Sequence, residues 1–199
     1  MEQDRIDSWL ERNIARQIIN HGDIWLYTWI GTCSLTTINK QKYIALTTEK
    51  DDTIIDEITK KYEEIIRIIN KYPGSKITIL EVHVYSIKHW NKKKEYSDSD
   101  SFDEQDKILQ RQIYLLNDKI RVINKRIGSH SPEFSSDISN NTKYHCGKDR
   151  KLKSTKTFDF GLYNDGIHPG NLLAKSWLKK ISKQSKRDCW EEVHAPPTN

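Results

Sequence analysis

The feature that most constrains the fold is a pair of apolar, β-type runs separated by one long amphipathic helix. Ile24 to Ile30 reads IWLYTWI and stops at Gly31. A nearly unbroken run of that length and composition suits a strand covered on both faces, as in a parallel sheet. Lys76 to Tyr85, KITILEVHVY, is a second such run, rich in β-branched residues. Between them Ile54, Ile55, Ile58, Tyr62, Ile65, Ile66 and Ile69 recur at three- and four-residue steps, which predicts a helix of about five turns. Asp51, Asp52 and Thr53 are capping candidates ahead of it, and Tyr72-Pro73-Gly74-Ser75 stops it. Strand, helix and strand in that order make a βαβ unit with a right-handed crossover. The expected fold class is α/β, a three-layer sandwich around a parallel sheet.

The flanking segments add helices. Ile6, Trp9, Leu10, Ile14, Ile18 and Ile19 form a helical stripe over 4–19, and Ile108 to Ile127 form another over 105–127. Lys42 to Leu46 reads as a peripheral strand and Phe134 to Ile138 as one further short strand. The stretches 88–104 and 139–157 are polar and charged, so both are expected as loops, the second exposed and mobile. A last helix over 171–182 turns Leu172, Leu173, Trp177 and Ile181 inward, and a loose tail follows from 184. One domain over 1–183 accounts for the whole, since 199 residues leave little room for a second.

Composition narrows the function classes. The six Trp, nine Tyr and four Phe argue against wholesale disorder. No run approaches the roughly eighteen apolar residues of a membrane span, and the charged start MEQDRIDSWLERN is not a secretory signal. Three scattered cysteines, Cys33, Cys146 and Cys189, build no disulfide framework, so a reducing intracellular, cytoplasmic setting is expected. His145-Cys146 and Cys189-x4-His194 lack zinc-ligand spacing, and neither a metal nor a cofactor is expected.

The stretch richest in chemistry is Tyr163-Asn164-Asp165-Gly166-Ile167-His168-Pro169. Asp165 stands three residues before His168 in a Gly/Pro-punctuated loop that enters a helix. Its carboxylate can reach the Nδ1–H of the ring, fixing the tautomer and leaving Nε2 as an acceptor. This is the orienting half of a nucleophile–base–acid arrangement. The plainer alternative is a helix-capping Asp beside a surface His.

Taken in order, IWLYTWIGTCSLT, the helix-break-strand TIIDEITKKYEEIIRIINKYPGSKITILEV, the helix QIYLLNDKIRVIN and the closing DGIHPGNLLAKSWLKKI resemble the SGNH/GDSL hydrolase family over about residues 22–183. The resemblance implies a three-layer α/β domain, ester-hydrolase chemistry on an ester substrate, and Asp165 and His168 as the surviving catalytic pair. The family's Gly-Asp-Ser nucleophile block has no counterpart, so the chain is expected to be degenerate or incomplete at its N-terminus, without its first central strand. The oxyanion-hole Asn falls on Cys33, followed by Ser34, and the oxyanion Gly falls on Gly31. A thiol is a poor donor, and losing one such donor typically costs about a hundred- to a thousandfold in rate. Cys33 and Ser34, at a strand's C-terminal end, are the candidates for a substitute nucleophile; the alternative is a small buried thiol and a turn-opening Ser.

A binding module for single-stranded nucleic acid is the other reading. Lys148, Arg150, Lys151 and Lys153 crowd one basic stretch with Tyr144, which supplies both phosphate contacts and a stacking ring. A solvated, flexible loop explains the same residues without a partner. The net charge of +5 does not by itself demand nucleic acid.

Overall fold

The computed structural model describes residues 2–95, 99–146 and 151–191. Helix α1 (Glu2–His21) leads into strand β1 (Trp25–Thr28), a four-residue helix α2 (Thr32–Leu35), and an antiparallel pair β2 (Thr36–Ile38) and β3 (Ile44–Leu46). The long helix α3 (Asp51–Ile69) follows, then strand β4 (Lys76–Ile79). Two helices come next, α4 (Ile87–Lys93) and α5 (Ser99–Arg126). Strands β5 (Ser139–Cys146) and β6 (Lys151–Phe158) precede the closing helix α6 (Asn171–Lys186) and a π-helical turn over Arg187–Glu191.

The chain is thus mixed α/β with a small parallel sheet. β1 and β4 run parallel, Trp25 opposite Lys76 and Thr28 opposite Ile79, joined through α3. Helices α3 and α5 lie side by side on one face. Arg111 reaches Asp51 at the start of α3, and Arg126 reaches Glu63 further along. On the other face α6 inserts Trp177, fully buried, against Trp29 and Phe134. The core runs from Ile14 to Trp177, and α3 and α5 give it the isoleucine stripes expected from their spacing.

Several expectations change. The apolar run at 24–30 yields only four ladder residues, half-buried and paired on one side, because β4 is the sole strand beside them among the described residues. The 88–104 stretch is mostly helix: α4 is capped by Ser86, whose hydroxyl accepts from the His89 amide, and α5 begins at Ser99. Residues 135–137 are a 3₁₀ turn rather than a strand. The stretch 139–157 is not a loop but most of an eight-pair antiparallel hairpin, because Thr142, Tyr144, Leu152, Thr155 and Thr157 stand next to its lysines and suit a ladder. The segment from 184 is ordered through 191: Gln184 is buried, and the Tyr27 hydroxyl donates to Asp188. Leu172, expected inward, is exposed.

Beyond Ile79 the second apolar run stays buried through Ser86, yet among the described residues no strand pairs with its outer side. Side chains take the strand's place. Asn124 and Asn117, on one face of α5, each accept from and donate to a single backbone residue: Asn124 to Ile79 (3.0 and 2.7 Å) and Asn117 to Val82 (2.8 and 2.8 Å). Hydroxyls of Ser131 and Ser135 accept from the amides of Glu81 and Val84. A buried amide or carbonyl left unpaired would cost about 1–3 kcal/mol, so these contacts hold the segment extended into the site.

Candidate active site

The Asp165–His168 loop closes on itself first. Asp165 Oδ1 accepts from the amides of Ile167 (3.0 Å) and His168 (2.8 Å), while Oδ2 lies 2.6 Å from His168 Nδ1. Asn164 N–H donates to the His168 carbonyl at 2.8 Å, and Gly170 N–H to that of Leu162 at 2.9 Å. Gly166 is required here: its φ is +95°, and a Cβ would meet the Trp90 backbone nitrogen at 2.8 Å. This explains why the spacing reads Asp-Gly-x-His and not Asp-x-x-His at large.

Three further bonds clip the loop to the extended segment after β4. Ser86 N–H donates to the Gly166 carbonyl (3.2 Å), the Tyr163 hydroxyl to Val84 (2.5 Å), and His83 Nε2 to Ile167 (3.2 Å). A carbonyl only accepts, so His83 Nε2 carries the proton and Nδ1 is a bare lone pair. Nδ1 is buried, with no hydrogen-bond partner among the described residues, amid the rings of Trp29, Tyr85, Tyr163 and Trp177. Burial, only partly offset by the Ile167 bond, pushes the His83 pKa down to about 4, and the nearby His168 adds to the fall. His83 is therefore a neutral support beneath the dyad.

Partial burial by itself would raise the Asp165 carboxyl. The amide of His168, its ring and the amide of Ile167 outweigh that and hold it below its ordinary value. With Asp165 ionised and Nδ1–H donated to it, His168 keeps Nε2 without a hydrogen-bond partner among the described residues. The ring is largely exposed and stands 5.9 Å from that of Trp90. The pair can orient and accept a proton, the work of a general base.

The other candidate residues sit at the end of β1. Gly31 has φ +123°, and a Cβ there would approach Val82 Cγ2 to 2.9 Å and the Tyr62 hydroxyl to 3.0 Å, so close helix–sheet packing demands glycine. Cys33 is a free, exposed thiol rather than the small buried one its residue type suggests, because α2 is a single turn whose inner side is filled by Leu35. Among the described residues no hydrogen bond joins Cys33 or Ser34 to His168. The link is indirect: the Tyr85 hydroxyl donates to the Thr32 carbonyl (2.9 Å), and the Tyr85 ring is 5.9 Å from that of His83.

Of the basic candidates, Lys148 and Arg150 lie outside the described residues, as does His194. Lys151 and Lys153 are on β6, in register with Cys146 and Tyr144. At the foot of the hairpin Lys156 Nζ sits over the rings of Tyr114 (5.7 Å) and Phe158 (5.5 Å). Among the described residues no group of three His, Cys, Asp or Glu gathers to hold a metal, and no helix is long and apolar enough to cross a membrane.

The residues that sequence reading missed are the supports: His83, Tyr163 and the buried asparagines. His83 carried a signal, as a polar ring inside an otherwise apolar strand-type run. Compared with known proteins, the chain matches no family model, no curated protein and no solved structure.

Proposed function

We propose that the chain is an SGNH/GDSL-hydrolase-like α/β domain that keeps the base–acid half of an ester-hydrolysing centre and lacks its efficient nucleophile. The observation that carries the reading is the 2.6 Å contact between Asp165 and His168 Nδ1, in a loop held against the segment following β4 with Nε2 left free. An acyl-transfer centre needs a nucleophile, a base and an oxyanion site around one carbon. The sequence has the base and its orienting acid, but Cys33 stands where the family places its amide donor. Members of such a unit act together, so turnover is expected orders of magnitude below an intact centre.

The test is labelling with a fluorophosphonate probe, mapped by mass spectrometry, alongside hydrolysis of a short-chain activated ester. No labelling and near-background hydrolysis are expected. Stoichiometric modification of Ser34, or turnover that is lost both on alkylating Cys33 and on His168→Ala, identifies a working enzyme with a substitute nucleophile.

A second reading, nucleic-acid binding, is favoured by one observation: the hairpin register sets Tyr144 opposite Lys153 and Cys146 opposite Lys151, all on one face. Binding of single-stranded RNA or DNA should then fall steeply with salt and weaken in Lys151→Glu/Lys153→Glu. Salt-independent binding, or none at low salt, removes it.

A further inference from the structure

Two surfaces on different helices carry complementary features. The first is a groove of about 330 Å³ between α3 and α5, floored by Ile55 and Leu115 and bordered by Asp52, Asp56 and Asp118. Val122 stands 67% exposed along the same wall, seven residues or about two turns from Leu115. Asp52 and Asp56, one turn apart, make no ion pair among the described residues, while Asp118 is bound to Arg121. Among the described residues Lys119 is the one cation lining the groove.

The second surface is the outward face of α6. Leu172, Lys175, Lys179 and Lys183 follow one stripe at three- and four-residue steps, and Leu178 flanks it. Leu172 is 79% and Leu178 64% exposed, in a helix whose opposite side buries Leu173 and Trp177. The three lysines make no ion pair among the described residues; Lys180, on the inner side, is the one bound to Asp137. Lys175 and Lys179 are four residues apart, the same axial step of about 6 Å as Asp52 and Asp56. An exposed leucine is unremarkable alone. Here each apolar surface lies beside unpaired charge, and the two charges are opposite.

We propose that the α3/α5 groove of one molecule receives α6 of a second copy. Lys175 and Lys179 meet Asp52 and Asp56, and Leu172 packs on Leu115 and Val122. The groove and α6 lie on opposite faces of the molecule, so two copies cannot exchange both at once and the contact is heterologous: each molecule keeps one groove and one helix unused, and association continues head to tail. A single helix laid in one groove buries little area, so the contact is weak and concentration-dependent. Its charged part is exposed, so salt weakens it.

The experiment is sedimentation velocity on the full chain, under reducing conditions that keep its three cysteines from cross-linking, at low and high salt. The expected result is a mean mass that climbs with concentration at low salt and returns to the monomer at high salt. Asp52→Asn/Asp56→Asn lacks a working groove and Lys175→Gln/Lys179→Gln lacks a working helix, so each alone stays monomeric. Mixed, they form a discrete 1:1 complex that grows no further, because one intact groove meets one intact helix. Circular dichroism of each variant checks its fold. The single substitution Val122→Lys, at a surface position, gives an independent loss of self-association.

A wild-type chain that remains monomeric at low salt overturns the proposal. So does a mixture of the two variants that stays monomeric, or either variant self-associating as the wild type does. A chain that is monomeric yet retards an oligonucleotide through Lys175 and Lys179 assigns the α6 face to polyanions instead. Ester hydrolysis plays no part in any of these readouts.

Discussion

The dyad loop and the basic hairpin are neighbours in sequence and opposites in construction. The hairpin is ordered by itself: eight cross-strand pairs connect β5 to β6, and its foot is tied in by Phe158 and by the Asp159 amide donating to Ile138. Residues 163–170 have almost no regular structure, only one isolated bridge between Tyr163 and Pro169. Beyond the bonds that Asp165 and Asn164 make within the loop, they are ordered by what lies outside them, through bonds to His83, Val84 and Ser86. A ladder tolerates change at any one exposed rung, because each rung is one contact among many. A clipped loop concentrates its order in a few side chains, and those are what would hold the proposed acid–base pair to fractions of an ångström.

The largest break in this contrast is expected from Gly166→Ala. The substitution places a Cβ against the Trp90 backbone at a left-handed φ, combining backbone strain with overpacking, and should cost about 2–5 kcal/mol. Chemical denaturation measures it, and a loss under about 1 kcal/mol would mean that the loop is looser than its bonds suggest.

Acid sharpens the contrast next. His83 titrates near its ordinary 6.5 in the unfolded chain and at about 4 when folded, so between those values the unfolded state binds the extra proton. Stability is therefore complete above about pH 6.5 and declines as pH falls towards 4, by about 3 kcal/mol. Below that, the depressed Asp165 carboxyl adds a loss of the same sign. His83→Gln keeps a donor for Ile167 but cannot titrate. Its denaturation curves should lack the decline between 6.5 and 4 that belongs to His83, and a wild-type slope retained in that variant assigns the effect elsewhere.

The smallest effect belongs to the hairpin. Joining Thr142 to Thr155 through a two-residue turn removes its outer rungs and should leave the melting transition of the core within about 1 kcal/mol, because those rungs lie away from the buried cluster. A larger loss would show that the outer hairpin supports the core.

These differences track what was legible in the sequence. The isoleucine stripes of α3 and α5 were plain because burial of one helical face imposes its own period. The Asp165–His168 spacing was legible because a three-residue step is what an Asp side chain can span. The hairpin was misread because lysine and threonine alternation carries no apolar signal, although backbone pairing needs none. The short β1 was misread in the other direction: aromatic content promised a strand covered on both faces, whereas Trp29 serves the rings around His83 beyond the end of the ladder. Cys33 defeated a rule of residue type, since exposure is decided by the geometry of a one-turn helix.

The paired asparagines of α5 have a consequence for how this chain can change. Asn117 and Asn124 are seven residues apart, close to two full turns, and each is matched to one backbone residue of the neighbouring extended segment. Exchanging outward-facing residues of the helix between them leaves that match intact. Inserting or deleting a single residue there rotates one asparagine by about 100° away from its partner and strands a buried amide and carbonyl together. Between those two positions the helix is thus permissive to substitution on its outward side and intolerant of a change in length, a ruler whose graduations are read by the backbone beside it.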